Sequence, residues 1–458
     1  MVIRRQSSSS EAADDRRLAF NVLGNYVIKG ISMLVALVMV PAYMSYFGSQ
    51  SILGVWFTIV ALLNWVLLFD FGIGSGVRNK LVELVAVGDH DGTNSLIVSA
   101  YISIAAIVIL LVIISVPVVL LLDWHTLLGV TVTDISRDTL IITVLVSLAG
   151  VYVRFCTVIV SHIFYALQKA VIPSLLILIS NILVLLYLIV VPSNYSETGL
   201  IVLAAVTAVA NNLPGFVATI VIMNKRHLGI SFRLRYFDKD SAKSVISLGG
   251  ALFYLQIVLA LVFQVKEIFI AFFVGSAQVV DYQIYYKLIG IVGGLFALAL
   301  APTWSAVTKA KVDGNVSWIS KLFKKGTFFV AVFSLGQLVL VVLMSPIVKI
   351  WLGDNAIEVS YVFGLIYCLY NVLYMWVMLN YNFMCGLGRL KVTGVCLTIA
   401  AILNFALAWL FSCFDSTWVS VIVATTIAII PCAIFIPLDL RSYLYRLSSE
   451  GGSDDERD

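Results

Sequence analysis

Twelve apolar stretches, each long enough for a helix to cross a lipid bilayer, run through this chain almost from end to end. They cover residues 23–46, 52–74, 96–122, 139–165, 171–191 and 200–223, then 245–270, 283–304, 326–350, 359–381, 392–411 and 418–438. A hydrocarbon core about 30 Å thick needs about 20 apolar residues in a helix, and no soluble fold could bury so many such runs. Only 12% of the 458 residues are charged and 61% are hydrophobic, against about 25% charged in an ordinary soluble domain. Six cysteines (Cys156, Cys368, Cys385, Cys396, Cys413 and Cys432) form no CxxC pair and mostly sit inside apolar runs. They are expected to pack as small hydrophobes, not to form disulfides or a metal site.

Positive charge sets the orientation. With the N-terminus placed in the cytoplasm, all but six of the 29 Lys and Arg fall in cytoplasmic connections or tails. The exceptions are Lys29, Arg137, Arg154, Lys266, Lys287 and Lys349. Both termini are therefore expected inside. The apolar stretch after the polar N-terminal residues is too long for a signal-peptide core and lacks a small-residue cleavage pattern.

The longest basic connection, around residues 224–244, divides six spans from six. Phe47-Gly48-Ser49 follows the first span as Val274-Gly275-Ser276 follows the seventh, 227 positions later. Two six-span halves in the same orientation imply a parallel repeat, a transporter layout. The expected organisation is a cytoplasmic tail (1–22), an N-terminal lobe (23–223), a basic linker (224–244), a C-terminal lobe (245–440) and a second tail (441–458).

Charges inside the spans are the next signal. Lys29, Arg154, Lys266 and Lys287 are deep, and so are the acids Asp70 and Glu267. Each would cost about 2.5–3.5 kcal/mol facing lipid at mid-bilayer, so a hydrated cavity is expected to hold them. Asn21, Asn25, Lys29 and Ser32 make one polar stripe on the first helix. Gln256, the 227-offset equivalent of Lys29, lies about 20° around its helix from Glu267. Tyr282, Tyr285 and Tyr286 on one helix, and Tyr367, Tyr370, Asn371 and Tyr374 on another, suit the apolar face and polar edge of a sugar ring. Plainer roles stand beside these. Lys29 can snorkel, Lys266 and Lys287 can anchor at an interface, and tyrosines at helical spacing can simply pack. Four deep cations against two acids favour an anionic cargo.

The first two spans carry a further pattern: Asn21-x-x-x-Asn25, Pro41, Phe47-Gly48, Gly54-x-Trp56, then Asp70-Phe71-Gly72-Ile73-Gly74 and Arg78. With these residues and the twelve-span layout, the chain resembles the O-antigen-type (Wzx-like) polysaccharide flippases of the multidrug/oligosaccharidyl-lipid/polysaccharide exporter superfamily. The resemblance implies an all-α membrane protein of twelve transmembrane helices in two pseudo-symmetric six-helix lobes, a MATE-like fold, in the cell inner membrane. It implies alternating access that moves undecaprenyl-pyrophosphate-linked oligosaccharide, an O-antigen or related repeat unit, to the periplasmic leaflet. No cofactor is implied beyond a coupling ion, proton or sodium. Implied partners are the lipid-linked substrate, membrane lipids and polysaccharide polymerase or assembly proteins, with no nucleic acid. By chemistry, the substrate-binding candidates are Lys29, Arg154, Lys266 and Lys287, supported by Asn25, Asp70, Gln256, Glu267, Tyr285, Tyr370 and Tyr374.

Other motifs carry less. Asp70-Phe71-Gly72 matches the kinase metal-binding tripeptide without its companion loops; Asp70 is expected to cap a helix break or pair with Arg78. The four histidines have no metal spacing, and there is no Walker loop. A multidrug or metabolite exporter of the same superfamily is the alternative function. An embedded polymerase or acyltransferase would need a larger outer loop than 123–138.

Overall fold

Residues 2–67, 73–167, 169, 171–191, 197–224, 236–238, 250–300 and 303–451 are described in the computed structural model. Among them the regular structure is entirely helical. The first half contains α1 (Val2–Phe47), α2 (Gln50–Val66), α3 (Ile73–Ala86), α4 (His90–Leu121), α5 (Trp124–Leu128), α6 (Arg137–Ala166), α7 (Val171–Val190) and α8 (Thr198–Asn224). The second half contains α9 (Gly250–Phe263), α10 (Lys266–Phe273), α11 (Ser276–Leu300), α12 (Thr303–Val312), α13 (Val316–Val342), α14 (Met344–Leu352), α15 (Tyr361–Leu387), α16 (Lys391–Ser412), α17 (Trp418–Ala428) and α18 (Ile430–Gly451).

Among the described residues ten helical stretches are long and apolar enough to span a membrane, and a bent pair raises the number to eleven. The expected twelve spans are matched in number at all but two places among the described residues. The seventh run is two helices, Tyr254–Phe263 and Lys266–Phe273, that meet at 46°. The second run yields an apolar helix of 17 residues, Gln50–Val66, and residues 68–72 beyond it lie outside the described residues. The polar N-terminal stretch also differs from a plain tail, because its backbone continues α1 back to Val2. Apolar side chains such as Ile109, Ile113, Leu186, Val190, Leu335, Val339 and Ile402 are exposed along these spans. A soluble surface would not carry them at this density, whereas acyl chains solvate them.

Two compact units divide the chain. One contains Met1–Ile52, Leu62–His125 and Thr131–Phe253; the other contains Leu53–Ala61, Thr126–Val130 and Tyr254–Asp458. Most of the expected 224–244 linker lies outside the described residues.

In the first unit α6 packs on α8 through small residues. A Cβ on Gly150 would stand 2.5 Å from the Ala208 methyl. Asn212 Nδ2 donates to the Gly150 carbonyl at 2.8 Å, and the Thr157 hydroxyl donates to Asn212 Oδ1 at 3.0 Å. Small residues that let backbones approach, with amides as cross-links, are how helices associate where lipid removes the hydrophobic drive. In the second unit α15 is the hub, packing on α11, α12, α13, α17 and α18. The Gly54 backbone lies against Ser276, whose carbonyl would overlap any Cβ at that position. Ser276 N–H donates to the Gly129 carbonyl at 3.1 Å.

The repeat is visible in the helix punctuation. Gly48 and Gly275 both take positive φ, 62° and 127°, and so do Gly88 and Gly314, 72° and 67°. Asp89 and Asn315 then cap α4 and α13 by accepting from the N–H groups of Gly92 and Trp318. Ser136 and Ser360 cap α6 and α15 in the same way, accepting from Thr139 and Phe363. Ordinary side chains pay for positive φ, and a short side-chain oxygen satisfies the open N–H groups of a helix start.

Candidate functional site

The break between α9 and α10 organises the polar centre of the second unit. A helix interruption exposes carbonyls at the end of one segment and N–H groups at the start of the next. Lys266, 3% exposed, curls its ammonium back to the Phe263 carbonyl and donates to the Tyr370 hydroxyl at 3.0 Å. The same ammonium stands 5.0 Å from the centre of the Tyr370 ring. Asn404 Nδ2 reaches the Val262 carbonyl at 3.4 Å, with its own Oδ1 held by the Thr425 hydroxyl at 2.9 Å. Glu267, in the first turn of α10, accepts from Gln283 Nε2 at 3.1 Å. A cation at the carbonyl end of one segment and an anion at the N–H end of the next both suit the local helix dipoles.

Tyrosines surround this centre. Tyr370 and Tyr374 stack at 6.3 Å, and Tyr282 and Tyr286 at 5.9 Å. Tyr367 stands edge-on to Tyr370 at 5.6 Å. Lys287 is half-exposed on α11, 5.8 Å from the Tyr286 ring centre. Deeper in, Asn371 Nδ2 donates to Gln337 Oε1 at 2.8 Å; both residues are buried, and Gln337 Nε2 has no acceptor among the described residues.

The first unit has its own polar place. Arg154 lies ~25 Å along α6 from Arg137 and ~18 Å from Ala166, well inside the span. Its NH1 donates to the Asn211 carbonyl at 3.4 Å, and no carboxylate approaches within 4 Å among the described residues. It lines a cleft with Thr157, Ser161, Ser180 and Asn211. A guanidinium has five N–H donors, so among the described residues most of its donating capacity is unspent.

Of the residues expected to act together, Lys266, Glu267, Tyr370 and Tyr374 do meet at the helix break. Lys266 and Glu267, adjacent in sequence, turn to different partners. Lys266 is buried and is not an interfacial anchor. Tyr285 serves the fold: its hydroxyl accepts the Ser360 N–H at 2.9 Å and its ring packs 4.7 Å from Trp418. Gln256 is exposed and Lys29 half-exposed. Asn25 Oδ1 accepts from the Ser174 hydroxyl. Asp70 lies outside the described residues, and Arg78 stands 5.5 Å from the Tyr165 ring centre. Gln283, Gln337, Asn404 and Asn211 escaped the sequence reasoning. The signal for Gln337 and Asn404 was a lone amide inside an apolar run, which in lipid must find a partner; Asn211 stands next to Asn212, and Gln283 lies between Asp281 and Lys287. No group of three His, Cys, Asp or Glu that could hold a metal ion occurs among the described residues.

No family model matches the chain. A Yersinia pseudotuberculosis protein named for O-antigen export is 22% identical over 362 residues, 77% of this chain and 80% of its own length. Among solved structures, an inward-facing multidrug-resistance MATE family transporter of the MOP superfamily superposes with a TM-score of 0.73 at 13% identity. That match covers 93% of this chain and 99% of the transporter. The lipid II flippase MurJ, in an inward closed conformation, gives 0.67 at 18% identity, over 93% and 89% of the two chains. The fold is thus MATE-like, the chain is a multi-pass membrane protein, and the resemblance to polysaccharide exporters read from its sequence holds.

Proposed function

We propose that the chain is a flippase that moves a lipid-linked oligosaccharide, an undecaprenyl-pyrophosphate-linked O-antigen or related repeat unit, from the cytoplasmic to the periplasmic leaflet of the inner membrane. Both termini are cytoplasmic in this proposal, and the cycle is alternating access drawing on a proton or sodium gradient. It is a transporter rather than an enzyme. The observation that carries the proposal is a sign imbalance in the spans. Arg154 lies at bilayer depth in a cleft with the hydroxyls of Thr157, Ser161 and Ser180 among apolar side chains, and no carboxylate stands beside it among the described residues; at that depth an unneutralised cation is expensive. A diphosphate would supply the missing charge, its oxygens accepting from the unused guanidinium N–H groups. The tyrosines around Lys266 offer rings and hydroxyls of the kind that hold sugars. The likeness to a protein named for O-antigen export and the shared fold with a lipid II flippase support the same cargo class.

The test is deletion of the gene in a cell that assembles the glycan. Lipid-linked repeat units should build up on the cytoplasmic face, with restoration by the wild-type chain and not by Arg154→Glu. Normal outer-leaflet glycan in the deletion would overturn the proposal. Drug efflux in a cell that makes no glycan would favour the multidrug alternative.

A further inference from the structure

The second unit has a cleft that the transport proposal does not use. It opens between α13 and α18 and has a volume of about 540 Å³, within the size range of ligand pockets. Its floor is Phe323 and Leu444, both buried. The Phe323 ring is held edge-on to Phe383 at 5.2 Å, so the floor is firm. Ser320 and Thr327 supply hydroxyls, and the two charges are Lys324 and Arg441, one from each helix.

Neither cation has a carboxylate within 4 Å among the described residues. The nearby acid on α18, Asp439, is already paired with Arg389 at 3.2 Å, and Arg389 also covers the Tyr443 ring at 4.6 Å. Two like charges lining one half-apolar cleft repel each other unless an anion lies between them. Position narrows the choice of anion. Lys324 sits ~12 Å along α13 from its first residue, near the level where headgroups meet acyl chains. A soluble anion would satisfy the charges and leave the apolar floor wet.

We propose that this cleft holds the phosphate headgroup of an anionic phospholipid, with Lys324 and Arg441 on the phosphate and the start of an acyl chain over Phe323 and Leu444. It is a lipid site within one unit, separate from the residues assigned to cargo.

The experiment is native mass spectrometry of the purified full chain titrated with phosphatidylglycerol or phosphatidylcholine in detergent. Wild type should retain phosphatidylglycerol in preference to phosphatidylcholine. The double variant Lys324→Gln/Arg441→Gln should weaken that binding roughly 30-fold, the effect of two interfacial basic contacts. Thr327→Trp, which fills the cleft and keeps both charges, should weaken it as well. Lys325→Gln, on the same helix and outside the cleft lining, should not. Unchanged retention in the double variant, an equal loss in Lys325→Gln, or displacement of the lipid by millimolar inorganic phosphate would each overturn the proposal. The readout needs no transport, so failure here leaves the flippase proposal standing, and the reverse.

Discussion

The Lys266 ammonium donates to the Tyr370 hydroxyl at 3.0 Å while it caps the Phe263 carbonyl, so one side chain closes a broken helix and ties it to α15. Replacing Lys266 with Met should take the ammonium from that part-buried carbonyl, costing about 1–3 kcal/mol. Tyr370→Phe, which removes only the hydroxyl, should cost about 1 kcal/mol. Thermal unfolding in nanodiscs measures both, and a Lys266→Met protein as stable as wild type would remove the capping role.

Arg154 should behave in the opposite way. Its one acceptor among the described residues is a carbonyl at 3.4 Å, so Arg154→Gln should change stability by under about 1 kcal/mol. Glycan export should nevertheless fall about tenfold or more, with partial return in Arg154→Lys, which keeps charge and loses the planar fork. Export at the wild-type rate in Arg154→Gln would count against a cargo role.

Asn404 and Thr425 are linked beneath the helix break, and the Thr425 hydroxyl also lies 2.9 Å from the Val421 carbonyl. Asn404→Leu alone should destabilise by about 1–3 kcal/mol, since it takes the amide donor from the Val262 carbonyl. Adding Thr425→Val should cost less than the sum of the two single changes, a coupling of about 0.5 kcal/mol or more in a double-mutant cycle. Strict additivity would show that the pair does not act as a unit.

Gly54 tolerates no side chain, because the Ser276 carbonyl already occupies the space. Gly54→Val should force backbone apart at a cost above about 3 kcal/mol, read as loss of folded protein by size-exclusion after solubilisation. Gly336, which has nothing nearby, is the matched control as Gly336→Ala.

A pH effect is expected outside the spans. Glu197 is held below the usual carboxylate range by the Ser136 side chain and then by the Ser136 N–H, which it accepts at 2.8 Å. A depressed folded-state value adds stability above the unfolded-state value and loses it as pH falls through the folded one. Protection of the Ser136 amide, its exchange rate taken relative to the intrinsic rate at each pH, should therefore fall below about pH 4, and Glu197→Gln should flatten that dependence. The carboxyl is largely exposed, so the effect on global stability is under about 1 kcal/mol.

The span pattern was legible because twenty apolar residues have few alternatives in water, and the glycine and serine punctuation because positive φ and helix caps favour few residue types. The break at Lys266 was not. Residues 245–270 read as one apolar run, and the adjacent charges of Lys266 and Glu267 looked like cavity lining when they mark a helix end. Gln337 and Asn404 were missed for a related reason. Each is one polar residue in a hydrophobic stretch, and its partner is distant in the chain: Asn371 for the first, Val262 for the second. Arg154 was legible by cost alone, since nothing local to it in sequence neutralises it.

The matched glycines and caps of the two halves bear on descent. Gly48 with Gly275, Gly88 with Gly314 and Ser136 with Ser360 recur at offsets of 227, 226 and 224 positions. A chain dissolved in lipid can exchange leucine for valine freely along its outer surface, but it cannot easily relocate a turn. Kinship in such chains is better sought in the spacing of their corners than in the identity of their walls.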